Sequence, residues 1–235
     1  MGNKNLHNGH RERLRAKFSS GALLEEHEIL ELLLFECIPR SNTNEIAHLL
    51  LERFGSIRGV LNAKESELME IPGIGKRSVF FLRLLPAVIA LYQRDGLNTR
   101  GLLTNRNDLY TYMQSLFIGS SGEKLYLLLF SANGWLKRVM LLDEGLPAST
   151  GVMLNKLLRT ITESNATTVV LVHNHPDGIP FPSAEDKRTT DRLAQALLSL
   201  GVRLLDHFII ADNTCYSILE GKQTRIDPDL HKTVT

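Results

Sequence analysis

The spacing of apolar residues changes near residue 98, and this change limits the folds that the chain can adopt. Before it, apolar residues recur at helical spacing, as Leu30, Leu33 and Leu34 do. Pro86 is expected to kink the last of these helices or to start a new one. After residue 98, short apolar and β-branched runs alternate with helical patterns, which is typical of a mixed sheet flanked by helices. The sequence therefore predicts an all-helical domain over 1–98, a linker over 99–103, an α/β (α+β) domain over 104–222 and a C-terminal tail over 223–235.

Local patterns in the C-terminal part predict its elements. Asn133-Gly134 between two apolar runs is a strong hairpin signal, so residues 124–130 and 136–142 are expected to pair as strands. The run from Thr167 to Val172 is β-branched and apolar, which indicates a buried strand. Further helices are expected over 109–116, 154–161 and 183–200, and further strands over 203–211 and 215–218.

Composition narrows the possible partners and the compartment. The 235 residues include 27 basic and 26 acidic ones, so any contact with nucleic acid must come from a local basic patch. Cys37 and Cys215 lie far apart and form no metal-binding or redox motif, which favours a reducing cytoplasm. The N-terminus carries no apolar signal core and no run is long enough to span a bilayer, so no membrane partner is expected.

One segment concentrates side chains that bind metals. His173 and His175 stand two residues apart where the predicted strand ends, so both imidazoles are expected to project from the same side of the chain. A stiff loop with three prolines follows, and Asp186 lies one turn into the helix that Ser183 opens. Two histidines and one carboxylate are the three protein ligands of a catalytic zinc site, in which the fourth position is left for water.

The same residues also have interpretations that need no metal. Ser183-x-x-Asp186 fits the capping box of a helix N-terminus. The helix dipole favours a carboxylate in the first turn in any case, and a proline-rich loop is commonly only a turn. Two histidines in this spacing are by themselves a weak signal. The metal site is favoured by the combination of a strand end, a rigid loop and a carboxylate at a helix start.

The spacing His173-x-His175, seven residues, Ser183-x-x-Asp186 matches the JAMM (MPN-type) metalloprotease motif at every position. Together with the stretch Leu204-Leu-Asp-His-Phe-Ile-Ile210, it resembles the RadC family over nearly the whole chain. The resemblance implies a JAMM/MPN-like C-terminal domain after an N-terminal helix-hairpin-helix domain. It also implies a zinc ion bound by His173, His175 and Asp186, and a metallopeptidase or isopeptidase that hydrolyses amide bonds in a peptide or protein substrate.

The resemblance further assigns the remaining catalytic roles. RadC-like proteins carry a glutamate that opens the strand before the hairpin, and Glu123 stands in that place. This implies that Glu123 is the general base and acid for a zinc-bound water. Ser183 would donate a hydrogen bond to the developing oxyanion. Glu144, near a strand end, is the competing candidate for the base, and an exposed structural position for Glu123 stays open.

Two departures from the family pattern bear on specificity. Asp177 replaces a serine and adds a negative charge beside the site, which would disfavour an acidic substrate. Residues 149–153 stand where relatives carry Pro-Arg-Glu. On the next strand, Asp206 or His207 is a candidate partner for a metal ligand, and an ordinary pair of strand residues is the simpler interpretation.

The N-terminal domain carries a second functional signal. The stretch Ile71-Pro-Gly-Ile-Gly-Lys76 resembles the hairpin of a helix-hairpin-helix module, in which Gly73 and Gly75 let the backbone approach a phosphate and Lys76 and Arg77 add charge. This predicts DNA as a partner, and RadC-like proteins are commonly labelled as DNA repair proteins. The competing interpretation is a tight turn that serves only packing.

Three hypotheses about activity follow from these patterns. The first is a zinc-dependent hydrolase of amide bonds, and the second is a DNA-binding protein associated with repair or recombination. The third is a nuclease that uses the same metal site. The letters His-Asn-His do not by themselves indicate an HNH nuclease, which needs a wider arrangement of strands and helix. The sequence leaves the oligomeric state open.

Overall fold

The computed structural model describes residues 3–39, 41–144 and 159–226 of the chain. The chain divides into two compact units, and the division falls between Ile89 and Ala90. Leu97, just before the predicted linker, and Leu102, within it, are buried in the hydrophobic core of the second unit. The predicted domain boundaries at 98, 103 and 222 stay predictions.

The N-terminal unit is helical, as the apolar spacing predicted. Its elements are α1 (Asn3–Ser19), α2 (Glu26–Phe35), α3 (Thr43–Phe54), α4 (Ile57–Asn62), α5 (Glu65–Met69) and α6 (Lys76–Asp95), which crosses the division. Leu30, Leu34, Leu50 and Leu82 lie completely buried in one core. α6 continues past Pro86 instead of a new helix starting there, since a proline removes only one backbone hydrogen bond of a long helix. Among the described helices, none combines the length and apolarity that crossing a bilayer requires.

Basic residues of α1 are engaged inside the N-terminal unit. The Arg11 guanidinium donates to the carbonyl oxygens of Ile38 (2.6 Å) and Ser41 (3.1 Å). Arg15 and Lys17 form ion pairs with glutamates. These contacts fasten α1 to the unit and engage the charges of Arg11, Arg15 and Lys17 within it.

The C-terminal unit combines helices with one mixed sheet, which confirms the predicted α+β class. Its elements are α7 (Arg106–Ser115), β1 (Lys124–Phe130), β2 (Leu136–Glu144), β3 (Thr168–Asn174), α8 (Ala184–Leu198), β4 (Arg203–Ala211), β5 (Thr214–Ser217) and β6 (Lys222–Arg225), with a further helical segment at 159–164. The strand order is β2-β1-β3-β4-β5-β6; β3 and β4 run parallel, and the other neighbours in this described sheet are antiparallel. The Asn133-Gly134 turn joins β1 to β2 as the predicted hairpin, with Gly134 at φ 76°.

Helices cover both faces of the sheet. On one face, Met113 of α7 packs with even-numbered residues of β3 such as Val170. On the other face, Leu193 of α8 packs with odd-numbered residues such as Leu171. This alternation follows from the two-residue period of a strand, and it turns His173 towards the α8 side.

β6 is a strand that the sequence analysis did not predict. Residues 222–225, where the predicted tail begins, pair with β5 as an edge strand, and Ile226 after them is buried. The letters Lys-Gln-Thr-Arg show no apolar alternation, because an edge strand that is largely exposed needs none. The predicted helix over 154–161 falls mainly outside the described residues, and the segment 149–153 falls wholly outside them.

Gly73 and Gly75 provide a matched pair of substitutions in the N-terminal unit. Gly73 has φ 88°, and a Cβ added there would lie 2.7 Å from Ile46 Cδ1, whereas a Cβ at Gly75 would meet no atom within 4 Å. We expect Gly73→Ala to lower the free energy of unfolding by about 1–2 kcal/mol, and Gly75→Ala to lower it by clearly less. Urea unfolding of the two variants measures this difference, and equal losses would contradict the strained turn at Gly73.

Candidate metal centre

The end of β3 brings two histidines to the α8 side of the sheet. His173 pairs with Leu125 of β1 and with Ile209 of β4, so its backbone is held on both sides. His175 follows the strand, and its N–H still donates to the Ile210 carbonyl oxygen at 2.9 Å. The backbone is therefore extended through both histidines. In an extended chain, residues two positions apart point to the same side, so the two imidazoles do so here.

Three side chains of the metal-binding type converge at this point. His173 Nε2 lies 2.9 Å from His175 Nε2 and 3.3 Å from Asp186 Oδ1, and His175 Nε2 lies 3.7 Å from Asp186 Oδ2. One ligand atom from each of the three residues lies within 4.8 Å of the others. The structure thus brings together all three residues that the sequence singled out as candidate ligands.

The three groups differ in burial and in charge. Burial lowers the pKa of His173 to about 4, although Asp186 acts to raise it. The Asp186 carboxylate raises the pKa of His175. Burial also acts to raise the pKa of Asp186, but the nearby His175 and the hydrogen bonds from Ser183 outweigh it and hold this pKa well below its usual range. The cluster is therefore an ionised carboxylate that faces two imidazoles, and it attracts a proton or a metal cation.

Asp186 serves the helix and the cluster at the same time. The Ser183 hydroxyl accepts from the Asp186 N–H (3.1 Å) and donates to Asp186 Oδ2 (2.6 Å), and the Ser183 N–H donates to the same Oδ2 (2.8 Å). The capping box of α8 is therefore formed, while Asp186 Oδ1 faces His173. The capping and metal interpretations are compatible, because the cap uses Oδ2 of Asp186 and leaves Oδ1 facing His173. Since the Ser183 hydroxyl donates its proton to Asp186 Oδ2, it must change its hydrogen-bond partner before it can donate to an oxyanion.

The loop between the candidate ligands is tied to His175. His175 Nδ1 lies 2.6 Å from the Ile179 carbonyl oxygen. A carbonyl oxygen only accepts, so Nδ1 carries the proton and Nε2 faces the cluster. Asp177 Oδ1 accepts from the Ile179 N–H at 3.3 Å. The acidic residue that departs from the family pattern therefore stabilises the turn that holds His175.

Glu123 lies near the cluster, directly before β1. Its side chain is exposed, and its charge is among those that raise the pKa of His175. The Asn174 side chain binds the backbone on both sides of it: Oδ1 accepts from the Lys124 N–H (2.9 Å), and Nδ2 donates to the Gly122 carbonyl oxygen (3.2 Å). The residue between the two histidines therefore fixes the backbone of the candidate base.

A buried chain of hydrogen bonds leads away from His173. His173 Nδ1 lies 2.8 Å from His207 Nε2, and His207 Nδ1 lies 2.6 Å from the Thr190 hydroxyl of α8. That hydroxyl lies 2.6 Å from the Asp186 carbonyl oxygen. Burial holds the pKa of His207 well below 6.5. Of the two candidates on β4, His207 contacts the candidate ligand His173. Asp206 instead accepts from the His207 N–H, the Ser217 hydroxyl and the Leu219 N–H.

The sequence analysis missed Asn174 and Thr190. Asn174 stands between two histidines and looks like a spacer, and Thr190 lies in a polar stretch of helix that looks exposed. A signal for each exists in the spacing. Thr190 follows Asp186 by four residues and so shares its face of the helix. Asn174 is a polar residue at the end of an otherwise largely apolar strand, next to the candidate ligand His173.

The residues predicted to contact nucleic acid lie around one turn of the N-terminal unit. Two buried isoleucines close the turn around Gly73 through a backbone hydrogen bond of 3.0 Å. Gly75 and Lys76 are exposed at the start of α6. Arg77 donates to the Glu36 carbonyl oxygen at 3.2 Å, so part of its charge is used inside the unit.

Comparison with known proteins identifies a family and a relative within it. A family model described as the RadC-like JAB domain matches residues 103–224, a range that contains the whole histidine and aspartate cluster and Glu123. The UPF0758 protein FN0909 of Fusobacterium nucleatum subsp. nucleatum is 33% identical to the chain over 221 residues, which cover 90% of this chain and 95% of that protein. The second match therefore extends over residues of both units.

The capping role of Ser183 can be measured apart from any catalytic role. We expect Ser183→Ala to lower the free energy of unfolding of the metal-free protein by about 1 kcal/mol, because the Asp186 N–H loses its acceptor. Ser183→Thr keeps the hydroxyl and should lose less. Chemical denaturation of the three proteins tests this, and an unchanged stability of Ser183→Ala would contradict the cap.

Proposed function

The chain belongs to the RadC family, and we propose that it is a zinc-dependent hydrolase of amide bonds, of the metallopeptidase or isopeptidase type. The proposed metal ligands are His173, His175 and Asp186. The observation that carries the proposal is the convergence of two imidazole nitrogens and one carboxylate at the C-terminal end of β3. Three protein ligands of this kind are the set found in catalytic zinc sites.

The donor set fits zinc. Imidazole nitrogen and carboxylate oxygen are ordinary zinc ligands, whereas magnesium and calcium prefer oxygen alone. Two Nε2 atoms 2.9 Å apart repel each other unless a proton or a metal ion lies between them, and the burial of His173 disfavours its own protonation. A dication bound by all three groups removes this conflict. When bound, zinc supplies a Lewis-acid centre that makes a water molecule acidic near neutral pH.

Glu123 is the proposed general base and acid. Its exposed carboxylate lies near His175, where it is accessible to water and to a leaving group. The Asn174 side chain accepts from the Lys124 N–H and donates to the Gly122 carbonyl oxygen, so the backbone on either side of Glu123 is held in place. Ser183 is proposed to donate to the oxyanion after its hydroxyl leaves Asp186, because preorganised donors of this kind stabilise developing charge.

Metal content and hydrolysis of amides test the proposal together. We expect Glu123→Gln to keep its zinc and to lose hydrolysis of peptide or isopeptide substrates by roughly 10²–10⁴-fold, because general acid–base catalysis contributes about that much. Glu144→Gln serves as the parallel variant for the competing base, whose side chain lies outside what the structure describes. Zinc is measured on the purified proteins, and the rates are measured on zinc-loaded protein.

Two histidine variants control this experiment. His173→Gln should lose both zinc and activity. His27→Gln, which changes a ring stacked on His48 in the N-terminal unit, should keep both. Equal zinc content in all of these proteins would contradict the metal site. Cleavage of DNA instead of amides, lost in Glu123→Gln, would contradict the amide substrate and favour the nuclease hypothesis.

We also propose that the N-terminal hairpin contacts the phosphates of DNA. Gly75 supports this, because neither a positive φ nor a neighbouring atom demands a glycine there. The bare backbone leaves the amides at the start of α6 open to a close phosphate. Lys76, exposed at the same point, adds a positive charge.

Salt dependence tests the contact with DNA. We expect Lys76→Ala to reduce the slope of log affinity against log salt by about one, because one phosphate contact is lost. Gly75→Ala should weaken binding while its stability stays close to that of the wild type. Lys64→Ala, which removes another exposed lysine of the same unit, is the matched control. Mobility-shift assays at several salt concentrations measure the slopes, and the same slope for both lysine variants would contradict the proposal.

A further inference from the structure

The hydrogen bonds behind His173 begin at a group that can only accept. The Thr190 hydroxyl lies 2.6 Å from the Asp186 carbonyl oxygen, so its single proton is donated to that oxygen. The same hydroxyl oxygen lies 2.6 Å from His207 Nδ1. Since the hydroxyl has no second proton, it accepts here, and Nδ1 of His207 carries the donated proton.

The position of the next proton follows from the burial of His207. This ring is 1% exposed, and an environment without water favours the neutral form, which has one N–H. With the proton on Nδ1, Nε2 is a bare acceptor, and it lies 2.8 Å from His173 Nδ1. His173 therefore donates from Nδ1. Its other nitrogen, Nε2, keeps the lone pair that faces His175 and Asp186.

We propose that Thr190 and His207 are positioning residues that hold His173 in the one tautomer able to bind a cation through Nε2. The inference rests on the proposed function for the cation, whereas the tautomer is a property of the metal-free protein. Partners that fix the tautomer of a histidine ligand typically contribute strongly to metal affinity.

The same series of hydrogen bonds connects two of the three candidate ligands. It starts at the backbone carbonyl of Asp186 on α8 and ends at the ring of His173 on β3. His207 lies between them because β4 is the parallel neighbour of β3, where His207 pairs with Leu171. The hydrogen bonds therefore fix the proton on His173 and also the spacing between the helix and the strand that carry the ligands.

Thr190→Val tests this series of hydrogen bonds, because it removes the hydroxyl and keeps the shape of the side chain. We expect zinc affinity, measured by competition with a chromophoric chelator, to fall about 10–100-fold. Thr190→Ser restores the hydroxyl and should retain most of the affinity. Thr111→Val is the matched control, because Thr111 is an equally buried threonine whose Oγ1 has no hydrogen-bond partner among the described residues.

Nitrogen NMR of ¹⁵N-labelled histidine rings reads the tautomer without any metal. The His173 signals are identified by their loss in His173→Gln. We expect a protonated Nδ1 and a bare Nε2 in the metal-free wild type and in Thr111→Val, and a mixture of tautomers in Thr190→Val.

Two results would overturn the inference: a protonated Nε2 of His173 in the metal-free wild type, or a zinc affinity of Thr190→Val equal to that of Thr111→Val. If the wild type shows a protonated Nδ1 and a bare Nε2 on His173 but binds no zinc, the proposed function is contradicted, whereas the tautomer assignment is supported.

Discussion

Two imidazole nitrogens 2.9 Å apart, with a carboxylate oxygen 3.3 Å from one of them, need a proton or a metal ion between them. A proton satisfies one pair of these atoms, whereas a metal ion satisfies all three. The burial of His173 works against the proton, because it removes the water that would stabilise an imidazolium. The exposed Glu123 is the base of the proposed site, since a cation and a nearby base together activate water.

Three features of the fold hold the cluster in place. β3 lies between β1 and β4, so the backbone of His173 is held on both sides. The capping box of α8 orients Asp186 through Oδ2 and leaves Oδ1 facing the imidazole. The loop in between holds His175 through the Ile179 carbonyl oxygen. Each feature also has an ordinary role in folding, which explains why the sequence patterns of a metal site and of a capped helix coincide here.

The sequence predicted the parts of the site that local geometry determines. The spacing of His173 and His175 along an extended chain, and the position of Asp186 one turn into a helix, both follow from the backbone periods. Thr190 and His207 meet only because β3 and β4 are parallel neighbours and α8 packs on that face, and no local pattern carries this information. The polar edge strand β6 was missed for a related reason: the surrounding structure, and not the local residues, decides it. At Pro86 the local residues left two alternatives open, and the structure excludes only the start of a new helix.

An anomalous difference map at the zinc absorption edge, from crystals of the zinc-loaded protein, addresses the cluster most directly. A site of the proposed kind gives one peak about 2.0–2.2 Å from Nε2 of His173, Nε2 of His175 and a carboxylate oxygen of Asp186. A peak elsewhere on the molecule, with these three side chains uncoordinated, would contradict it.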